Sequence, residues 1–230
     1  MQEKIQIISD GSLDLSRELT RERDILVVPF YVSFDGETYL KEGVELDIRE
    51  FYQRMVDHPD VFPKTSMPSV DDYYQVFLPL AKQDVPMICI CITTKFSGSM
   101  QSATTARDMI LEEYPKARIT VIDAEINTVL QGLYVLEACR LRDLGWEYDR
   151  MVKRESGRIF FTIGNIDYLK HGGRIGKVMG IAGSALKIKP LITLKEGEIF
   201  ASGIARSREK SMQKVIEMLK AYLDERTAKP

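Results

Sequence analysis

The chain has 230 residues, 44% apolar and 29% charged, with a formal net charge of −2. A disordered chain carries fewer apolar residues and more net charge, so this balance describes a globular protein able to bury a core. No apolar run reaches the ~20 residues that span a bilayer, and acids and bases alternate where a nucleic-acid binder would show a basic face; stable membrane insertion and nucleic-acid binding are not expected.

Short apolar runs alternate with amphipathic stretches. Strands are predicted at 4–9, 26–34, 86–93, 118–123, 158–163, 190–195 and 199–205. The run Met87-Ile88-Cys89-Ile90-Cys91-Ile92 lacks polar alternation and lies between Pro86 and Thr93, the pattern of a central parallel strand buried on both faces. Helices are predicted at 13–22, 47–57, 69–82, 98–113, 127–144 and 207–226, with shorter ones near 147–154 and 176–187. In 127–144 the residues Val129, Leu133, Leu136 and Arg140 mark successive turns, and Gly145 follows as the C-cap.

The expected fold class is α/β in two domains. Residues 1–155 read as an N-terminal domain with a mainly parallel sheet and flanking helices. Residues 156–230 read as a smaller α/β domain with a mixed sheet. There a strand leads into a Gly-rich loop, a helix and two strands joined by the hairpin turn Lys195-Glu196-Gly197-Glu198. Of the three cysteines, Cys89 and Cys91 share one strand face and Cys139 sits in a helical pattern, which reads as small buried hydrophobes in a reducing compartment. The N-terminal Met-Gln-Glu-Lys-Ile lacks the basic start and apolar stretch of a signal peptide, so a cytoplasmic location is expected.

Open α/β sheets bind ligands at the carboxyl ends of their strands, where helix N-termini present free N–H groups. Three segments bring hydroxyls or glycines there: Ser9-Asp10-Gly11-Ser12-Leu13-Asp14-Leu15, Pro63-Lys64-Thr65-Ser66-Met67-Pro68-Ser69, and the stretch from Thr93 to Ala103. Ser12, Ser69 and Ser97 each also suit a plain helix N-cap. The 93–102 stretch holds five hydroxyl residues where a cap needs one, and Ser97-Gly98-Ser99 offers two hydroxyls plus backbone N–H groups to one anionic oxygen pair. A fourth segment, Asp167-Tyr168-Leu169-Lys170-His171-Gly172-Gly173-Arg174-Ile175-Gly176, uses paired glycines to deliver Arg174, a guanidinium suited to carboxylate or phosphate. His58 and His171 are the only histidines, and no Cys-x-x-Cys pair, Gly-x-Ser-x-Gly elbow or nucleotide-binding P-loop occurs. These residues describe an anion-binding α/β protein without a visible nucleophile or metal site.

In this order the segments resemble the DegV family of bacterial fatty-acid-binding proteins, the acyl-carrying subunits of fatty acid kinase. The resemblance also takes in Val28-Pro29, Ile122-Asp123, Gly183-Ser184 and Ile188-Lys189-Pro190, and it runs from the first strand to about residue 216. It implies two α/β domains with a long-chain fatty acid between them as the only bound cofactor-like group. It further implies that Thr65 and Ser97 bind the carboxylate, and that Arg174 lies near the head group and serves phosphoryl transfer by the partner fatty acid kinase. The expected ligand-binding residues are thus Thr65, Ser66, Ser97, Gly98, Ser99 and Arg174, with no catalytic residue and no metal. Three features depart from the family pattern. Gly11-Ser12 stands for the usual Ser-Thr, the segment between Leu144 and Arg158 is short, and no His-x-Gly-Pro-Gly motif follows the 207–226 helix, so the C-terminal domain is incomplete relative to the family. Two other readings use the same residues: an enzyme acting on a small phosphorylated or carboxylated metabolite through Ser97 or Arg174, and a regulatory module using the basic start of the last helix.

Overall fold

The computed structural model describes residues 4–152, 159–163, 171, 173, 188–195 and 197–227. The chain divides into two compact units, Met1–Ser156 and Gly157–Pro230. The first is built on four parallel strands, β1 (Gln6–Asp10), β2 (Ile25–Val28), β6 (Met87–Cys91) and β7 (Ile119–Asp123), in the order β2-β1-β6-β7. Every residue of β1 and β6 is buried, as central strands of a sheet covered on both faces must be; β6 is a continuous apolar run, whereas β1 also buries the polar Gln6, Ser9 and Asp10.

Alternation along the strands assigns the two faces. Ile8 pairs with Cys89 and Cys89 with Val121, and these residues face α3 (Val70–Ala81) and α4 (Ser99–Glu113) in one core with Tyr73, Phe77, Ala106 and Ile110. The intervening Ile88, Ile90 and Ile122 meet Tyr134, Ala138 and Leu141 of α5 (Thr128–Asp143) and Met151 of α6 (Tyr148–Met151). The helix ends follow local chemistry. Ser69 and Asp72 close a capping box at the start of α3. Gly145 (φ +76) and Trp146 return their N–H groups to the carbonyls of Arg142 and Leu141, a Schellman motif that ends α5.

Several expectations are corrected. The single strand expected at 26–34 is two: Pro29 has no N–H for the ladder, and after it the chain leaves the parallel sheet. β3 (Tyr31–Ser33) lies instead in a small antiparallel sheet, order β4-β3-β5, between β4 (Leu40–Lys41) and β5 (Lys64–Ser66). The Thr65–Ser66 segment, expected as a turn, is therefore an edge strand. The helix expected at 13–22 is broken. A 3₁₀ turn, Gly11–Leu13, capped by Asp10, ends at Asp14 in the left-handed region (φ +49), and α1 (Arg17–Glu22) begins after its own N-cap, Ser16. On α5, Val129 and Leu133 are 59% and 54% exposed, while Gln131, Gly132, Val135 and Cys139 face inward. In α2 (Ile48–Asp57) no residue is buried.

In the second unit β8 (Ile159–Thr162), β9 (Lys189–Lys195) and β10 (Glu198–Ala205) pair antiparallel in the order β10-β9-β8. Gly197 (φ +76) makes the β9–β10 turn where the sequence places a hairpin. The helix α7 (Arg208–Thr227) packs on these strands, with Tyr222 edge-on to Phe160. The helix expected at 176–187 lies outside the described residues. Among the described residues no helix is long and apolar enough to cross a membrane.

Candidate anion-binding site

At the carboxyl end of β1 the chain buries a carboxylate completely: Asp10 has no exposed surface. A buried carboxylate needs hydrogen bonds on both oxygens, and distant segments supply them. Oδ2 accepts from the Ile92 N–H at 2.9 Å and from the Ser99 hydroxyl at 2.7 Å. Oδ1 accepts from Gln131 Nε2 at 2.9 Å, from the Ser12 hydroxyl at 2.5 Å and, at 3.4 Å, from the Ser12 N–H. With its proton given to Asp10, Ser99 accepts from the phenol of Tyr73 at 2.6 Å. Burial pushes that phenol well above its ordinary value of 10.0, which keeps it a donor.

Above this network lies the loop between β6 and α4. The Ser97 Oγ accepts from the Ser99 N–H at 3.2 Å. Its own proton has no acceptor among the described residues, and neither has the Gly98 N–H. Gly98 is the N-cap of α4 and makes no side-chain cap, so a donor hydroxyl, a free N–H and the positive end of a helix share one exposed point. Met67, which follows β5, lies across Gly98: a Cβ there would stand 2.7 Å from Met67 Sδ. The β5 segment and the Ser97–Gly98 loop thus meet, and Tyr73 of α3 joins them from beneath through Ser99. Thr94, on the same loop, is fixed to the end of β7 by a 2.6 Å hydrogen bond to Asp123.

A separate cleft of about 320 Å³ is lined by Gly11, Leu13, Leu15, Val27, Pro29, Val44, Ile48 and by Asp14, Glu42 and Tyr52 among others. Burial raises the carboxyl of Asp14, and burial with the nearby Asp14 charge raises that of Glu42. A further anion is disfavoured there, whereas the Ser97–Gly98 point offers a hydroxyl proton and a backbone N–H.

Of the predicted site residues, Thr65 and Ser66 are exposed on β5, Ser97 is half-buried and Gly98 exposed. Ser99 is fully buried and faces Asp10 and Tyr73 rather than the surface. Arg174 lies outside the described residues. Ser12 and Ser97, candidate caps, are not N-caps; Ser69 is. Tyr73 and Gln131 fall outside the candidate segments of the sequence, and Asp10 falls inside one, Ser9–Leu15, without a role of its own. The available signal for Asp10 was an acid following Ile7-Ile8-Ser9 at the end of a short strand, which a buried strand carries only when the charge is compensated. Among the described residues no group of acids, histidines and cysteines is placed to hold a metal.

The family described as uncharacterised protein, DegV family, matches residues 4–230. A DegV domain-containing protein of Clostridium perfringens is 30% identical over 98% of this chain and 80% of its own length. Among solved structures, one described as a stearic acid-binding protein from Eubacterium ventriosum is 46% identical, with a TM-score of 0.92 over 96% of this chain and 78% of that one. DegV of Bacillus subtilis, described as a fatty acid binding protein, is 26% identical with a TM-score of 0.82 over 97% and 79% of the two chains.

Proposed function

The chain belongs to the DegV family, and from that premise we propose that it binds a long-chain fatty acid and presents its carboxylate to a partner fatty acid kinase. The observation that carries this reading is the convergence of the Thr65–Ser66 strand and the Ser97–Gly98 loop, where the Ser97 proton and the Gly98 N–H have no acceptor among the described residues. The stearic acid-binding protein of Eubacterium ventriosum, alike in fold and 46% identical over the aligned residues, supports the ligand class.

The physical division of labour is simple. At ~0.8 kcal/mol per buried CH₂, the tail of a sixteen-carbon acid contributes on the order of 12 kcal/mol before the cost of ordering it. The tail therefore dominates affinity. Hydroxyls of Thr65 and Ser66, the Ser97 hydroxyl and the Gly98 N–H orient the carboxylate and offset its desolvation. Ser99 takes part from beneath the loop, and Arg174 is assigned to the head group by the family resemblance. In this reading the chain performs no bond-making step. The kinase transfers the phosphoryl group, and this protein supplies the oriented acceptor from the cytoplasm.

Mass spectrometry of the purified protein, native and then after organic extraction, tests the proposal. Release of a stoichiometric long-chain acid from folded protein is the expected result. A folded protein that carries no acid and takes up neither added palmitate nor oleate would overturn it.

A further inference from the structure

We propose that Asp10 is the positioning residue of the carboxylate site, acting through Ser99 and Tyr73 on the Ser97–Gly98 loop; the inference rests on the fatty-acid reading above. A single oxygen, Asp10 Oδ2, holds both ends of that loop. It takes the N–H of Ile92, just before the loop, and the hydroxyl of Ser99, just after it. The position and direction of the Ser97 hydroxyl follow from those anchors, because Ser97 Oγ in turn accepts the Ser99 N–H. The same serine receives the Tyr73 phenol from α3, the helix whose N-cap ends the segment carrying Thr65. Both hydroxyl-bearing segments are therefore referred to one buried carboxylate.

The other oxygen fixes the reference itself. Gln131 of α5 donates to Oδ1 and also to the Ser9 hydroxyl, and Ser9 donates to the Ile90 carbonyl. Asp10 thus cannot shift without moving β6 or α5. An ionised carboxylate is the side chain that accepts on both oxygens at once. An asparagine here would turn its NH₂ toward either the Gln131 amide donor or the Ile92 N–H.

The test loads wild type and the variants Asp10→Asn, Ser99→Ala, Tyr73→Phe and Ser97→Ala with palmitate labelled at its carboxyl carbon. The carboxyl resonance and its titration with pH are followed by NMR, beside melting temperature and lipid stoichiometry. A core variant, Ile110→Val, controls for simple destabilisation. The expected result is that Ser99→Ala and Tyr73→Phe stay loaded while their carboxyl signals move toward that of Ser97→Ala, the Ser99→Ala shift being the larger. Ile110→Val melts earlier with its signal unmoved. Should Asp10→Asn or Ser99→Ala not fold, Tyr73→Phe, which deletes one hydroxyl, decides. Loaded Asp10→Asn, Ser99→Ala or Tyr73→Phe protein with a wild-type carboxyl signal overturns the inference alone. Wild type that takes up no palmitate overturns the fatty-acid reading on which it rests.

Discussion

Gly132 of α5 lies so close to Leu13 that a Cβ on it would stand 2.4 Å from the Leu13 carbonyl oxygen and 2.8 Å from Leu15 Cδ2. This contact sets the rotation of α5 and brings Gln131, its neighbour in the chain, to Asp10. Gly132→Ala gains up to ~1 kcal/mol of helix propensity but forces the helix away from the 3₁₀ turn. The expected net effect is a loss of about 1–3 kcal/mol, read as a lower urea midpoint. A variant as stable as wild type would show that α5 is free to slide.

Glu42 makes stability depend on pH. Burial, then the neighbouring Asp14 charge, raises its carboxyl above the ordinary 4.5, so the folded protein holds this proton more tightly than the unfolded chain does. The penalty is absent below pH 4.5 and grows as pH rises through the folded value. Glu42→Gln should therefore melt higher than wild type at pH 7, with the gain gone at about pH 4. Thermal melts across that range check it; an equal gain at both ends would assign the effect to something other than titration.

Thr65→Ala and Ser97→Ala each remove a hydroxyl from the proposed carboxylate site. A hydrogen bond to a charged group contributes ~1.5–3 kcal/mol, against the order of 12 kcal/mol from a long tail. Competitive displacement of a bound fatty acid should show roughly tenfold to hundredfold weaker binding, with the acid still retained at stoichiometric concentrations. Unchanged affinity in both variants would place the head group elsewhere.

The three thiols should be silent in the folded protein. Cys89, Cys91 and Cys139 are free and buried. The hydrogen bond to Cys91, burial and the nearby charge of Asp10 push Cys89 well above its ordinary 9.0, and burial chiefly pushes Cys139 to about 11. A thiol reagent at pH 8 is expected to label none of them until denaturant is added, since the thiolate is the reactive form. Rapid labelling without denaturant would reveal local opening of β6 or α5.

The sheet was legible because it is written in local pattern. The apolar run of β6, the hydroxyl and acid of the α3 capping box, and the glycines after α5 and between β9 and β10 each act within a few residues of themselves. The short strands β4 and β5 were not legible. Two or three residues carry no period, and Thr65 becomes a strand only because Val32 of β3 pairs with it. Val129 and Leu133 marked the turns of α5 but not its buried side: the side that turns inward was chosen by one glycine meeting a carbonyl.

The sequence by itself determined an α/β chain with parallel buried strands and a hydroxyl-rich loop opening a helix, since hydrophobic period and turn chemistry are short-range properties. It could not determine which hydroxyl of Ser97-Gly98-Ser99 faces outward. Only the tertiary structure decided that, through a carboxylate 89 positions earlier that draws Ser99 into the core and leaves Ser97 half-buried on the loop. The two serines are chemically identical and two residues apart. What distinguishes them is the burial of Asp10, whose charge must be met by donors wherever the fold brings them.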